Sequence, residues 1–215
     1  TELIRGDVFF WGPIMAAAHA YQISSARDLA ILARTLLLEF PEYDLYWHIG
    51  AIRYGAKTTQ NYNKLIGRYP GADGMKTGFI CASGFNLVAA ATRKGLRLIA
   101  VVLGSPSGGA RTAKAAQMLE RGFNGAGLAW LAPSLGTVET LAAIDAAPPD
   151  MRETICGSHR KKPASENEED DAVEAANPDD PNASQHFKLS NLGPSAKASA
   201  LLGPKVEAAN PIEVY

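Results

Sequence analysis

Two apolar periodicities alternate along this chain, and together they predict a small α+β unit. After Ser25, the residues Leu29, Leu32, Ala33 and Leu36 recur at helical spacing, so 26–38 is predicted to be an amphipathic helix. Ser25 followed by Asp28 resembles a capping box with an acid in the first turn, and Pro41 stops the helix soon after its last apolar position. Further along, alternation takes over. Asp73 to Phe79, Phe85 to Thr92 and Leu96 to Gly104 read as strands, the last two joined as a hairpin through Arg93-Lys94-Gly95. The third is almost continuously apolar from Leu98 to Leu103, which implies cover on both faces. Ala110 to Phe123 returns to helical spacing and is predicted to cover one face of the strands.

The remaining stretches are less regular. Tyr43 to Ile52 is predicted as a loop or short helix with Tyr46 and Trp47 turned inward, and Ile52-Arg53-Tyr54 as a short strand before a turn at Gly55. Asn61-Tyr62-Asn63-Lys64-Leu65 admits a peptide-holding role for its amides, but the favoured reading is a polar loop whose Asn side chains satisfy their own backbone. Tyr69 to Gly74 is dense in turn formers. The apolar run Val8 to Ala18 is broken by Gly12-Pro13 and has no clean period, so residues 1–23 are unassigned. Beyond Pro148-Pro149, basic Arg160-Lys161-Lys162 and acidic Glu166 to Asp171 precede a stretch poor in aliphatic residues. Such a composition cannot bury enough apolar surface to offset ordering entropy. The predicted division is therefore a domain over 24–125, a linker over 126–149 and a disordered tail over 150–215.

Composition narrows the chemistry. A net charge of -1 with 20% charged residues gives no reason to expect nucleic acid. Cys81 and Cys156 have neither C-x-x-C spacing nor a nearby His pair, so neither a zinc site nor a disulfide framework is predicted. His19, His48, His159 and His186 are scattered and read as surface or packing residues; no metal or cofactor is implied. No apolar run approaches the ~20 residues that span a bilayer, no signal peptide is recognisable, and the chain begins at Thr1. That is the pattern expected of a processed or partial product.

Candidate chemistry concentrates in Asp73-Gly74-Met75-Lys76-Thr77-Gly78-Phe79. In an extended strand Lys76 and Gly78 share one face and Thr77 takes the other. A gap beside a fixed cation suits a carboxylate-bearing substrate whose backbone lies close to the strand. Standing alone, the same tripeptide would read as an edge strand blunted by Lys. Arg111 sits at the start of the last predicted helix, against the preference of cations for helix C-termini. A substrate-carboxylate or loop contact and a solvated Arg account for it equally well.

Four stretches in order, Ser25 to Ala33, Asn61 to Leu65, Gly74-Met75-Lys76-Thr77-Gly78 and Ser83 to Ala89, together resemble the D-alanyl-D-alanine carboxypeptidases, the low-molecular-mass penicillin-binding proteins. The resemblance covers about half of the chain, Ser24 to Asn124. It implies the C-terminal part of a β-lactamase/transpeptidase-like domain, with the last three strands of an antiparallel five-stranded sheet. Leu96 to Leu103 would then present an unpaired apolar edge suited to association. It also implies a serine-type carboxypeptidase of peptidoglycan maturation, acting at the periplasmic or cell-surface side of the membrane. Its partners would be stem peptides ending in D-Ala-D-Ala, and β-lactams. By the same resemblance Lys76 holds positive potential over the site, Thr77 bonds the substrate carboxylate, Gly78 lets the substrate lie along the strand, and the Phe79 N–H is an oxyanion donor.

Of the three motifs that build such a site, S-x-x-K, S-x-N and K-T-G, only the last is present where it belongs. Ser158-His159-Arg160-Lys161 fits the first formally but lies downstream in a charged segment, and is read as chance. No nucleophile is assigned, so the chain is expected not to complete acyl transfer alone. The alternatives are a non-catalytic module that binds peptidoglycan peptides or β-lactams, and a structural fragment that binds a partner through its sheet edge.

Overall fold

The computed structural model describes residues 3–5, 23–126, 138–143, 146–158, 201–204 and 211–214. Strand β1 (Leu3–Arg5) pairs antiparallel with β2 (Ile23–Ser25), which leads into helix α1 (Ala26–Glu39). The Ser25 hydroxyl accepts from the Asp28 N–H at 3.1 Å, as the predicted cap requires. The buried stripe of α1 runs through Ala33 and Leu37 with Leu36 beside them, while Leu32 is exposed. A tight turn at Pro41–Tyr43 follows, then the single-turn helix α2 (Asp44–Trp47). The predicted inward aromatics are corrected here: Tyr43 and Tyr46 face solvent and only Trp47 reaches the core. With Leu36 and Phe40 they line an apolar depression of about 260 Å³.

Strands β3 (Ala51–Tyr54) and β4 (Lys57–Gln60) form a small antiparallel hairpin across Gly55. The main sheet has the order β5 (Ala72–Ile80), β6 (Gly84–Arg93), β7 (Leu96–Ser105), antiparallel throughout. The β6–β7 turn places Lys94 and Gly95 at positive φ, which matches the right-handed twist of the paired strands. Helix α3 (Gly108–Ala126) completes the unit.

The central strand feeds two cores. Leu87, Ala89 and Ala91, with Ala100 and Val102, pack under Ala115, Ala116 and Leu119 of α3 and beside Leu65 and Tyr69. On the other face Ala90, Val88 and Ile99 meet Ala33, Leu36 and Leu37 of α1. Three consecutive alanines, 89 to 91, are fully buried, and their small side chains let both helices approach the sheet. The predicted cover of β7 on both faces is thus supplied by α1 and α3. Among the described residues no strand lies beside its outer edge.

One edge of the α3 core is closed by a polar staple. Arg93 pairs with Glu120 at 2.8 Å and lies over the rings of Tyr69 and Phe123, while the Tyr69 hydroxyl donates to Glu120. Burial works against the Glu120 charge, but hydrogen bonds from Arg93 and Tyr69 and the Arg93 charge outweigh it and hold the carboxyl below its ordinary 4.5. Burial, and then the bond to Glu120, push the Tyr69 phenol up.

Residues after 126 are not all remote from this body. The linker region returns at a turn, Val138–Thr140, where the Glu139 carbonyl accepts from Arg27 of α1. Helix α4 (Arg152–Cys156) docks on the β5–β6 turn: the Met151 N–H donates to the Ala82 carbonyl, and Ile155 is fully buried. Cys156 is joined to Cys81 in a disulfide, which corrects the expectation of no such bridge. The two cysteines are 75 residues apart but their Cα atoms lie 5.6 Å from each other, a proximity no local spacing reveals. Further on, Leu201 and Leu202 pack on the α3 core, Gly203 exchanges two hydrogen bonds with Arg68, and β8 (Ile212–Val214) pairs parallel with β3. Positions 150–158, 201–204 and 211–214, inside the stretch predicted as a tail, therefore contact the domain; 159–200, like 6–22, lies outside the described residues. No helix among the described residues is long and apolar enough to cross a membrane.

Two predictions follow from these ties. Cys156→Ser should lower unfolding free energy by about 2–4 kcal/mol, read from denaturant midpoints, and added reductant should reproduce that loss in the parent and change nothing in the variant. Because the folded carboxyl of Glu120 titrates below its unfolded value, its contribution is complete above the ordinary glutamate range and is lost as pH falls through the folded value. Glu120→Gln should therefore flatten the acid limb of a stability-versus-pH curve while lowering stability at neutral pH.

Candidate functional site

The Lys76 strand lies at the outside of the sheet, paired only with β6 among the described residues. Its register sets Lys76 opposite Val88, Thr77 opposite Leu87, Gly78 opposite Asn86 and Phe79 opposite Phe85. Lys76 and Gly78 are therefore on the α1 side and Thr77 and Phe79 on the α3 side, as strand alternation predicts. The Lys76 side chain is exposed and its ammonium donates to the Thr77 carbonyl. Thr77 is 7% exposed, and Phe79 stacks on Phe85 at 4.1 Å between centroids.

Arg111 is where sequence reasoning was least able to decide. It is fully buried, so the solvated reading is corrected. Its guanidinium donates to the carbonyls of Asn86 and Tyr62, both at 3.2 Å, and lies 5.7 Å from the Phe85 ring centre. The cation thus joins α3, the start of β6 and the Asn61–Leu65 loop behind the Thr77–Phe79 end of the strand. It lies on the α3 side of the sheet, opposite to Lys76.

The amides around it serve the backbone. Asn61 donates to the Ile49 carbonyl and accepts from the Asn63 N–H, and Asn63 accepts from the Leu65 N–H, which is the favoured loop reading. Asn86 was not singled out by sequence. It donates to Ser83 and Gly84 and accepts from the Gly104 N–H, filling the register shift between β6 and β7. Its place within the Ser83 to Ala89 stretch was the available signal.

Asp73 is a second residue whose role the motif hid. Thr92 donates to its carboxylate, Arg97 approaches at 3.2 Å and His48 at 3.4 Å. Among the described residues no three His, Cys, Asp or Glu side chains are grouped to hold a metal ion. Ser158 is exposed just after α4.

An exposed cation and an adjacent glycine on an outer strand form a rim that can take a carboxylate and an extended backbone. Behind it, the strand is braced by buried hydrogen bonds. Arg111→Met should cost about 2–4 kcal/mol, since it strands two buried carbonyls, with chemical denaturation as the measure.

Known proteins resemble this chain over about half of its length. Residues 17–107 match a family model described as D-alanyl-D-alanine carboxypeptidase. The chain is 38% identical over 102 residues to D-alanyl-D-alanine carboxypeptidase DacD of Escherichia coli K12, covering 47% of this chain and 26% of that protein. Penicillin-binding protein 5 of Haemophilus influenzae is similar in structure with a TM-score of 0.46 and 34% identity, over 49% of this chain and 31% of that one. Penicillin-binding protein D2 of Listeria monocytogenes, solved in an ampicillin-bound form, has a TM-score of 0.44 and 28% identity, over 47% of this chain and 42% of that one. The chain spans about a quarter of the length of the curated relatives it matches. Over residues 17–107 this chain is similar to the D-alanyl-D-alanine carboxypeptidases.

Proposed function

We propose that this chain carries the Lys-Thr-Gly wall of a serine-type D-Ala-D-Ala carboxypeptidase site and binds the D-Ala-D-Ala end of peptidoglycan stem peptides, and β-lactams, along the outer side of β5. The observation that carries the reading is the placement of Lys76, Thr77 and Gly78 on a strand that is outermost among the described residues, within the stretch that matches the family model. A peptide that extends the sheet at this edge is flanked by side chains from both faces. Lys76 supplies positive potential from one side, and Thr77 offers its hydroxyl to the terminal carboxylate from the other. Gly78 permits close backbone approach, and the Phe79 N–H is the oxyanion donor.

Acyl transfer needs a serine made nucleophilic by a neighbouring base. No S-x-x-K precedes Lys76 in this sequence. The activity proposed for the chain by itself is therefore binding, with peptide release in the family's manner belonging to a polypeptide that carries the serine. The Cys81–Cys156 bridge supports the periplasmic or cell-surface location, because disulfides persist in oxidising compartments.

Equilibrium binding of an acylated peptide ending in D-Ala-D-Ala tests the reading. Lys76→Ala should weaken it by at least about tenfold while leaving stability within about 0.5 kcal/mol, because the side chain is exposed. A fluorescent penicillin should leave no covalent band on a denaturing gel. Equal affinity of the variant would remove Lys76 from the site, and a covalent band would make Ser158 the first residue to replace.

A further inference from the structure

Strand β5 carries one residue more than β6 at its start. Ala72 lies opposite Ala91 and Gly74 opposite Ala90, which leaves Asp73 as the bulged residue without a cross-strand partner. A bulge fixes where alternation resumes, and a slip of one residue would send every later side chain to the other face. Lys76 and Thr77 are three and four residues downstream. Whatever holds Asp73 therefore decides which of them is presented on which side of the rim.

Three elements converge on that carboxylate, whose side chain is only 10% exposed. Thr92 near the end of β6 donates its hydroxyl to Oδ2, and Arg97 of β7 sets Nε 3.2 Å from the same oxygen. His48, directly after α2, brings Nε2 to 3.4 Å from Oδ1. A second leg ties the same groups together from outside: Arg97 pairs with Asp44 of α2 at 3.1 Å, and His48 Nδ1 lies 2.9 Å from the Asp44 carbonyl. Next along the strand, Gly74 has a φ of +125°, and a Cβ there would lie 2.9 Å from the Trp47 carbonyl, so α2 rests directly on the backbone.

We propose that Asp73 is the positioning residue of the rim: its carboxylate pins the β5 bulge to β6, β7 and α2 and so sets the register in which Lys76, Thr77 and Gly78 are displayed. The inference rests on the proposed binding site only for its functional consequence, since the register itself is readable without any ligand. Arg97 and Thr92 hold the bulge from within the sheet. His48 and Asp44 hold it from the helix side, so that α2 clamps the strand rather than merely covering it.

Amide hydrogen exchange and amide chemical shifts of the full chain test this, with Asp73→Asn as the principal variant. Exchange at Met75 to Phe79 should rise by at least about tenfold while amides of Ala100–Val102 and Ala115–Leu119 change less than about twofold. A uniform rise across sheet and helix, or no change at Met75 to Phe79, would overturn the proposal. His48→Gln removes only the outer contact and should produce a smaller rise confined to the same amides. It also decides the matter if Asp73→Asn does not fold, since no local rise in His48→Gln would then refute the clamp. Where the parent binds the D-Ala-D-Ala peptide, folded Asp73→Asn should bind at least about tenfold more weakly, and unchanged affinity would overturn the link to the rim. A parent that binds no peptide refutes the proposed function alone, leaving the exchange contrast to judge Asp73.

Discussion

The main sheet and the two helices packed on it depend on β6 having no free side. Its backbone is paired on both edges, by β5 and β7, and its side chains enter two different cores, one under α3 and one under α1. A strand so enclosed tolerates no polar side chain without a partner, and it meets that condition by being small and apolar from Val88 to Ala91. Its two ends are where polar groups gather. Asn86 and Arg111 organise one end, and Thr92, Arg97 and Asp73 the other. The candidate rim on β5 is stretched between these two fixed ends. A functional strand can lie at the margin of a sheet only if something inboard keeps it in place.

The buried Arg111 shows what that inboard support costs and gains. A guanidinium without water must exchange its hydration for fixed acceptors. Among them are the backbone carbonyls of Asn86 and Tyr62, with the Phe85 ring alongside. The Arg93–Glu120–Tyr69 staple, whose acceptor is a carboxylate, supports α3 at another place.

Much of the sheet was legible in the sequence because its signals are local. Ser25 with Asp28, the Lys94-Gly95 turn and the alternation from Phe85 to Thr92 each specify structure within a few residues, and the structure places α1, β6 and β7 close to the expected bounds. The Lys76, Thr77 and Gly78 strand was legible for the same reason. Features made by distant partners were not. Lys57–Gln60 has no apolar alternation, and its pairing with β3 follows from the Gly55 turn rather than from burial. Cys81 and Cys156 are silent about each other across 75 residues. Arg111 was conspicuous through its unfavourable place at a helix N-terminus, but the distant carbonyls of Asn86 and Tyr62 that it bonds could not be read beside it. Asp73 was inside the motif, yet its partners come from residues 48, 92 and 97, so sequence displayed the residue without its role.

The return of the C-terminal residues has a consequence of another kind. Gly203 is hydrogen-bonded to Arg68 and β8 is paired with β3, while the disulfide holds nothing beyond Cys156. The contacts of 201–204 and 211–214 are thus joined to the body by peptide bonds through 159–200 alone. A single break in the backbone between Ser158 and Leu201 would turn an intramolecular association into a bimolecular one governed by dilution. The clasp would then be a separable peptide ligand of the domain that once contained it.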